Sequence, residues 1–249
     1  MAAAAFSELV AHPGHGRVFI QERRPGLADC APSGRIRLDA LARWLQDIAW
    51  TDVDDAGLAQ HVVWVVRRTR IAVSRFPRFG GRYRVATFCS GLGRMWAERR
   101  TTVTPASEAA PAVEAVSLWV HLDPVARRPT QLTPEEISAY GEAAGERRVS
   151  ARLRHPPPDG DAQAALAWMF RATECDVAGH VNNAAYWQPL EEELLAAERD
   201  PGGLDAEIEF RTPAQPGHKR FLREGDMRWI VGDDGETHAS IRLARPSVT

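Results

Sequence analysis

The chain has 249 residues, 44% of them hydrophobic and 26% charged, a balance typical of globular proteins that excludes a fibre or a disordered tail. Its 31 basic and 33 acidic residues leave a formal charge of −2, without the basic excess usual for a nucleic-acid partner. Lys219 is the sole lysine, so arginine carries almost all the positive charge. No run reaches the roughly 18–20 apolar residues of a membrane span. Met1–Phe6 is a short apolar stretch without a basic n-region, so a signal peptide is not expected. Cys30, Cys89 and Cys175 are odd in number and form no C-x-x-C pair. The expectation is a soluble cytoplasmic protein with free thiols. It has no phosphate loop, dinucleotide fingerprint, GxSxG elbow or metal-spaced His/Cys/Asp set, so no cofactor and no metal are called for.

In chain order the pattern repeats. Leu38, Leu41, Ala42, Leu45, Ile48 and Ala49 fall on one helical face and predict a helix over Leu38–Trp50. Strand-like runs follow at Val62–Val73, Arg82–Ser90, Met95–Thr104 and Ala112–Leu122, broken by Pro77, Gly80-Gly81, Gly91–Gly93 and Pro105. A charged, glycine-dotted stretch from Ala139 to Pro158 reads as a linker. Tyr186, Leu190, Leu194 and Ala197 then predict a second helix over Asn183–Glu198, with Asn183 as its N-cap. Four more strands are expected at Ala206–Thr212, His218–Arg223, Met227–Val231 and Thr237–Ala244, the last two joined by the hairpin signal Asp234-Gly235. Gly34–Gln46 overlays Gly179–Glu191 at an offset of 145 residues, each glycine following an aspartate (Asp29, Asp176). A long amphipathic helix followed by four antiparallel strands, twice over, predicts an α+β tandem (double) hotdog. Its two antiparallel sheets each wrap a central helix. The divisions are an N-terminal repeat over 1–138, a linker over 139–164 and a C-terminal repeat over 165–249.

The densest polar cluster is Asp176-Val-Ala-Gly-His180-Val-Asn182-Asn183, at the turn into the second helix. Two readings stand side by side. In one, Asn183 caps the helix, Asp176 closes the turn and His180 is a half-buried turn residue. In the other, a carboxylate and an imidazole beside a helix N-terminus activate water and stabilise an oxyanion. Cys175 reads as a small buried hydrophobe rather than a nucleophile.

Asp-x-x-x-His-Val-Asn-Asn-x-x-Tyr, with Glu192 twelve residues after His180, resembles the signature of plant and bacterial fatty acyl-[acyl-carrier-protein] thioesterases. Leu45-Gln46-Asp47, Trp64–Arg68 with Phe76-Pro77, and Ser117–Val120 with Asp123, Arg127-Arg128-Pro129 and Pro134–Ile137 resemble further segments of that family. Together they span roughly residues 17–215. The resemblance implies thioester hydrolysis by direct attack of water, with Asp176 and His180 catalytic. The carbonyl would lie against backbone N–H groups near Gly179–Val181. Asn182 and Asn183 would hold the turn or touch substrate. Glu192 is either a pocket-facing base or a solvated helix residue.

Two family features are missing: Ala178 stands in place of an asparagine, and Thr212-Pro213-Ala214 in place of a glutamate and cysteine. The first repeat has Arg35 opposite His180 and Arg37 opposite Asn182, so one active site per chain is expected, with the first repeat forming the acyl-chain pocket. Trp44, Trp50, Trp64 or Trp96 would limit its depth. The implied partner is an acyl carrier protein bearing a phosphopantetheine-linked chain, received on Arg67-Arg68, Arg94, Arg99-Arg100 or Arg127-Arg128. A homodimer remains open. Rival readings are an acyl-CoA thioesterase, a hotdog hydratase and a non-catalytic acyl-binding protein.

Overall fold

The computed structural model describes residues 6–59, 63–159, 162–197 and 200–244. The expected strand start at Val62, the expected helix end at Glu198, the opening residues before Phe6 and the tail after Ala244 lie outside them. The first repeat runs β1 (Phe19–Arg23), α1 (Leu38–Asp55), β2 (Val63–Val73), β3 (Tyr83–Leu92), β4 (Trp96–Pro105) and β5 (Val113–Leu122). A helix, α2 (Pro134–Ala144), precedes the second repeat. That repeat contains β6 (Gln163–Phe170), a 3-10 turn at Asn183–Trp187 continuing into α3 (Gln188–Leu195), and β7 (Leu204–Phe210), β8 (Gly217–Glu224), β9 (Met227–Gly232) and β10 (Thr237–Leu243). No helix among the described residues is long and apolar enough to cross a membrane.

All ten strands form one antiparallel sheet in the order β1-β3-β4-β5-β2-β7-β10-β9-β8-β6. The halves join where β2 pairs with β7, Arg68 opposite Glu209 and Val73 opposite Leu204. Strand alternation sends Ile71, Ala206, Ile208, Phe210, Ile230 and Ile241 to the inner face. There they pack with Leu38, Leu41, Leu45 and Ile48 of α1 and with Tyr186, Trp187 and Leu190 of the second helical segment in one core. This is the expected hotdog arrangement, with the two sheets fused edge to edge.

Both helices differ in extent from the sequence pattern. α1 runs on to Asp55 because its polar end is anchored. Asp52 is buried and takes an ion pair from Arg17 (2.7 Å) and another from Arg99, while Val53 packs into a second apolar cluster. α3 is short because Pro189, in its first turn, has no N–H to return to the preceding residues. The chain before it therefore tightens into a 3-10 turn. The cap of that turn is Asn182, not Asn183: the Asn182 side chain accepts the Ala184 N–H (2.9 Å).

The linker stretch is not loose. The Leu92 N–H donates to the Arg147 carbonyl, Trp96 donates to the Val149 carbonyl, and Trp229 donates to that of Pro156. Residues 147–156 thus lie across the outer face of the sheet. Beside them Ser7 is buried, its N–H donating to Glu207 (2.8 Å). The charged outer residues of the seam need this cover. Arg68, Glu207, Glu209 and His155 are all buried, and Arg154 and His155 donate backbone N–H bonds to Glu209.

Burial alone would raise the Glu207 carboxyl. The His155 ring, Ser7 and the Arg154 guanidinium outweigh it and bring the pKa down to about 2 from the ordinary 4.5. Glu207 therefore stabilises the fold fully above pH 4.5 and loses that contribution as the pH falls toward 2. The span is worth on the order of 3 kcal/mol. Glu207→Gln should lower stability to urea by that order at neutral pH, and the gap from wild type should close through this acid window.

Candidate active site

The two repeats build the same turn. In the second, a 3-10 turn at Ala172–Glu174 leads to the Cys175–Val181 bridge, and the loop between is closed by Gly179 N–H to Asp176 O (3.0 Å) and Asp176 N–H to His180 O (3.1 Å). Gly179 has a φ of 81°, a left-handed value that favours glycine. In the first, Leu27–Asp29 leads to the Cys30–Ile36 bridge, closed through Ala31, Arg35 and Gly34, whose φ is 86°. The offset of 145 holds, but the aspartates do not correspond. Asp29 matches Glu174, and Asp176 faces the position of Ala31. The cysteines are the matched pair.

Asp176 is half-buried. Its Oδ1 accepts the Ala178 N–H (2.9 Å) and its Oδ2 the Asn182 Nδ2 (3.0 Å). Among the described residues no hydrogen bond joins the Asp176 carboxylate to the His180 ring. The His180 imidazole is itself half-buried, with Nδ1 shielded from solvent and unpartnered. Of the N–H groups at 179–181, Gly179 and Val181 donate to the carbonyls of Asp176 and Ala214. Among the described residues the His180 N–H has no hydrogen-bond acceptor. Ala178 is exposed at the loop tip and Cys175 is half-buried.

Beside this turn a narrow cleft of about 20 Å³ lies between the repeats, lined by Leu45, Gln46, Val66, Trp119, Asn183 and Trp187 among others. A space of this size holds a single water, so an acyl chain must displace side chains to enter. The tryptophans at the cleft are Trp119 and Trp187; Trp44 is buried in the core and Trp50 is exposed.

Glu192 is exposed, whereas its neighbour Glu191 is buried. Glu191 pairs with buried Arg35 (2.8 Å) and accepts the Leu38 N–H (3.0 Å) at the start of α1. Burial raises its carboxyl above the ordinary range against the pull of these donors. Glu207 and Glu209 lie on the opposite sheet face from the cleft and do not reach it. With His155 they bring three ligand-type atoms within 4.8 Å, a juxtaposition that residues so far apart in sequence do not announce. Arg68 (3.8 Å from Glu207) and Arg154 (3.1 Å) already neutralise the carboxylates there. Arg68, Arg99 and Arg100 are buried, which removes them from the expected docking surface, while Arg94, Arg127 and Arg128 are exposed. Sequence reasoning gave Tyr186 no role. Its hydroxyl accepts the Ala214 N–H (2.7 Å) and ties the loop after β7 to the helical segment. Burial pushes this phenol up to about 12.

The fold is that of the double-hotdog thioesterases. The structure aligns with an acyl-ACP thioesterase from Bacteroides thetaiotaomicron at a TM-score of 0.75 and 17% identity, over 91% of this chain and 96% of that one. It aligns with the 12:0-ACP thioesterase from Umbellularia californica at 0.71 and 18%, over 92% and 97%. Residues 26–140 match the family model of the acyl-ACP thioesterase N-terminal domain. A palmitoyl-acyl carrier protein thioesterase of Arabidopsis thaliana is 24% identical over 170 residues, 60% of this chain and 40% of that one. An uncharacterized protein of Mycobacterium tuberculosis is 28% identical over 94% of this chain and 95% of its own length. The chain thus shares its fold with acyl-ACP thioesterases, and a little under half of its sequence matches their N-terminal family model.

Arg35 also pairs with the more exposed Asp200 (2.9 Å), so removing Glu191 leaves the buried guanidinium with that one carboxylate. Glu191→Ala should therefore cost less than the about 3–5 kcal/mol of a wholly stranded charge in urea unfolding, and the double variant Arg35→Met with Glu191→Leu should recover most of the loss.

Proposed function

We propose that the chain hydrolyses the thioester of fatty acyl-[acyl carrier protein], releasing a free fatty acid for lipid biosynthesis. The observation that carries this reading is the unpartnered, half-buried His180 on the Asp176–Asn183 turn, next to an apolar cleft between the repeats. Imidazole is the side chain most often used as the base that takes a proton from water. The water oxygen attacks the carbonyl carbon, and the charge that develops on the carbonyl oxygen meets the His180 N–H. The C–S bond then breaks, and the imidazolium returns its proton to the leaving thiolate of the phosphopantetheine arm. Asp176, held by Ala178 and Asn182, supplies the acceptor for the second hydrogen of the water. No cofactor enters these steps. The acyl chain would displace side chains around Trp119 and Trp187, and exposed Arg94, Arg127 and Arg128 suit the acidic carrier.

Incubation with acyl-carrier-protein and acyl-CoA thioesters, followed by free-thiol release, tests the reading. Faster turnover of the CoA esters would reassign the carrier, and tight binding without thiol release would make this an acyl-binding protein. His180→Ala and Asp176→Asn should each lower hydrolysis by about 100-fold or more with folding retained, while Cys175→Ala keeps most activity. An inactive Cys175→Ala beside an active His180→Ala would replace water attack with a thiol mechanism.

The exposed site of Ala178 has room for an asparagine. Ala178→Asn should maintain or raise turnover, since it restores a polar group that the family carries there. Lost activity with intact folding would show that this turn does not work as the family's does.

A further inference from the structure

We propose that Gln46, on the helix of the first repeat, is a positioning residue for the active site of the second, acting through Asn182 on Asp176. The inference rests on the thioesterase reading above. Gln46 is half-buried on α1 and lines the cleft. Its Nε2 donates to Asn182 Oδ1 at 3.0 Å across the repeat boundary.

The direction of each bond in this chain follows from the donors available. The Ala184 N–H can only donate, and it points at Asn182 Oδ1 (2.9 Å). The Asn182 amide therefore turns its Nδ2 to Asp176 Oδ2 (3.0 Å), a carboxylate oxygen that accepts. Gln46 must then present its own N–H₂ to the same Oδ1. With two donors on Oδ1, the amide cannot rotate without breaking both, and Nδ2 stays aimed at Asp176. Bonds in such a relay polarise one another, which strengthens the contact to the carboxylate.

The partner turn supports the assignment. At the 145-residue offset the counterpart of Gln46 is Glu191, and Glu191 likewise reaches from one repeat's helix to the other's turn, where it meets Arg35 and the Leu38 N–H. Each turn is thus completed by the opposite repeat. On one side the crossing contact is a buried ion pair. On the other it is an uncharged amide, which adds no charge beside His180 and Asp176. A carboxylate at position 46, like that at 191, would repel Asn182 Oδ1 and set the relay against itself.

Gln46→Met keeps the volume and removes the amide, and its folding is checked by thermal melting. It should lower kcat for acyl-carrier-protein hydrolysis by about 10- to 100-fold, the scale of a displaced catalytic group, with KM within about twofold. Gln46→Glu should lower kcat further. The side-chain amide protons of Asn182, assigned by their disappearance in Asn182→Asp, should shift in the NMR spectrum of Gln46→Met without any substrate present. Unchanged kcat in a folded Gln46→Met, or unmoved Asn182 resonances, overturns the proposal. A wild-type protein inert toward every thioester sinks the thioesterase reading instead, and the substrate-free resonances then decide the Gln46 link by themselves.

Discussion

The pairing of β2 with β7 is the contact from which the rest of the molecule follows. Neither repeat closes a sheet around its helix alone, because β2 and β7 would each leave a row of unpaired N–H and C=O groups at an edge. Joined, they place Ile71 beside Ala206 and Ile208, and one continuous apolar face covers both helical segments. The same seam brings the turn of each repeat against the helix of the other. The candidate site is therefore a property of the junction, and neither repeat contains it whole.

The reverse side of the seam shows what this junction costs. Strand alternation that sends Ile208 and Phe210 inward sends Glu207 and Glu209 outward, opposite Arg70 and Arg68. Those charges are closed over by Ser7 and by residues 147–156, so they are paired and hydrogen-bonded away from water. Burying charges in this way repays its desolvation only where donors and acceptors are matched. Here backbone N–H groups of Arg154 and His155 complete the match, which explains why a charged, proline-ended stretch is ordered.

The strand pattern was legible from local sequence because it rests on period-two alternation and on Gly and Pro punctuation, which act over a few residues. Eight of the expected strands fall within a few residues of their place. The helices were less legible where distant contacts decide them: Asp52 holds the last turn of α1 through Arg17 and Arg99, and Pro189 splits the second helix. At the site, the family-like spacing singled out Asp176, His180 and Asn182. It did not reveal that the Asp176 carboxylate bonds the Asn182 amide rather than the His180 ring, nor that the buried carboxylate is Glu191 and the exposed one Glu192. Residues one apart on a helix differ by about 100° in direction, and only tertiary packing says which faces in. Gln46 and Tyr186 sat in plain sight within recognised motifs. Their partners, Asn182 and Ala214, come from other elements.

Tandem fusion also changes what substitution can do. In a two-fold dimer of identical chains, any residue placed at one site is placed at both, so a change that serves packing at one turn is inflicted on the chemistry of the other. Here the two turns are encoded separately. Arg35 and Glu191 occupy one of them as a permanent ion pair, an arrangement a homodimer would have to install at both sites. Covalent linkage thus lets one turn serve as a clamp while the other carries a histidine.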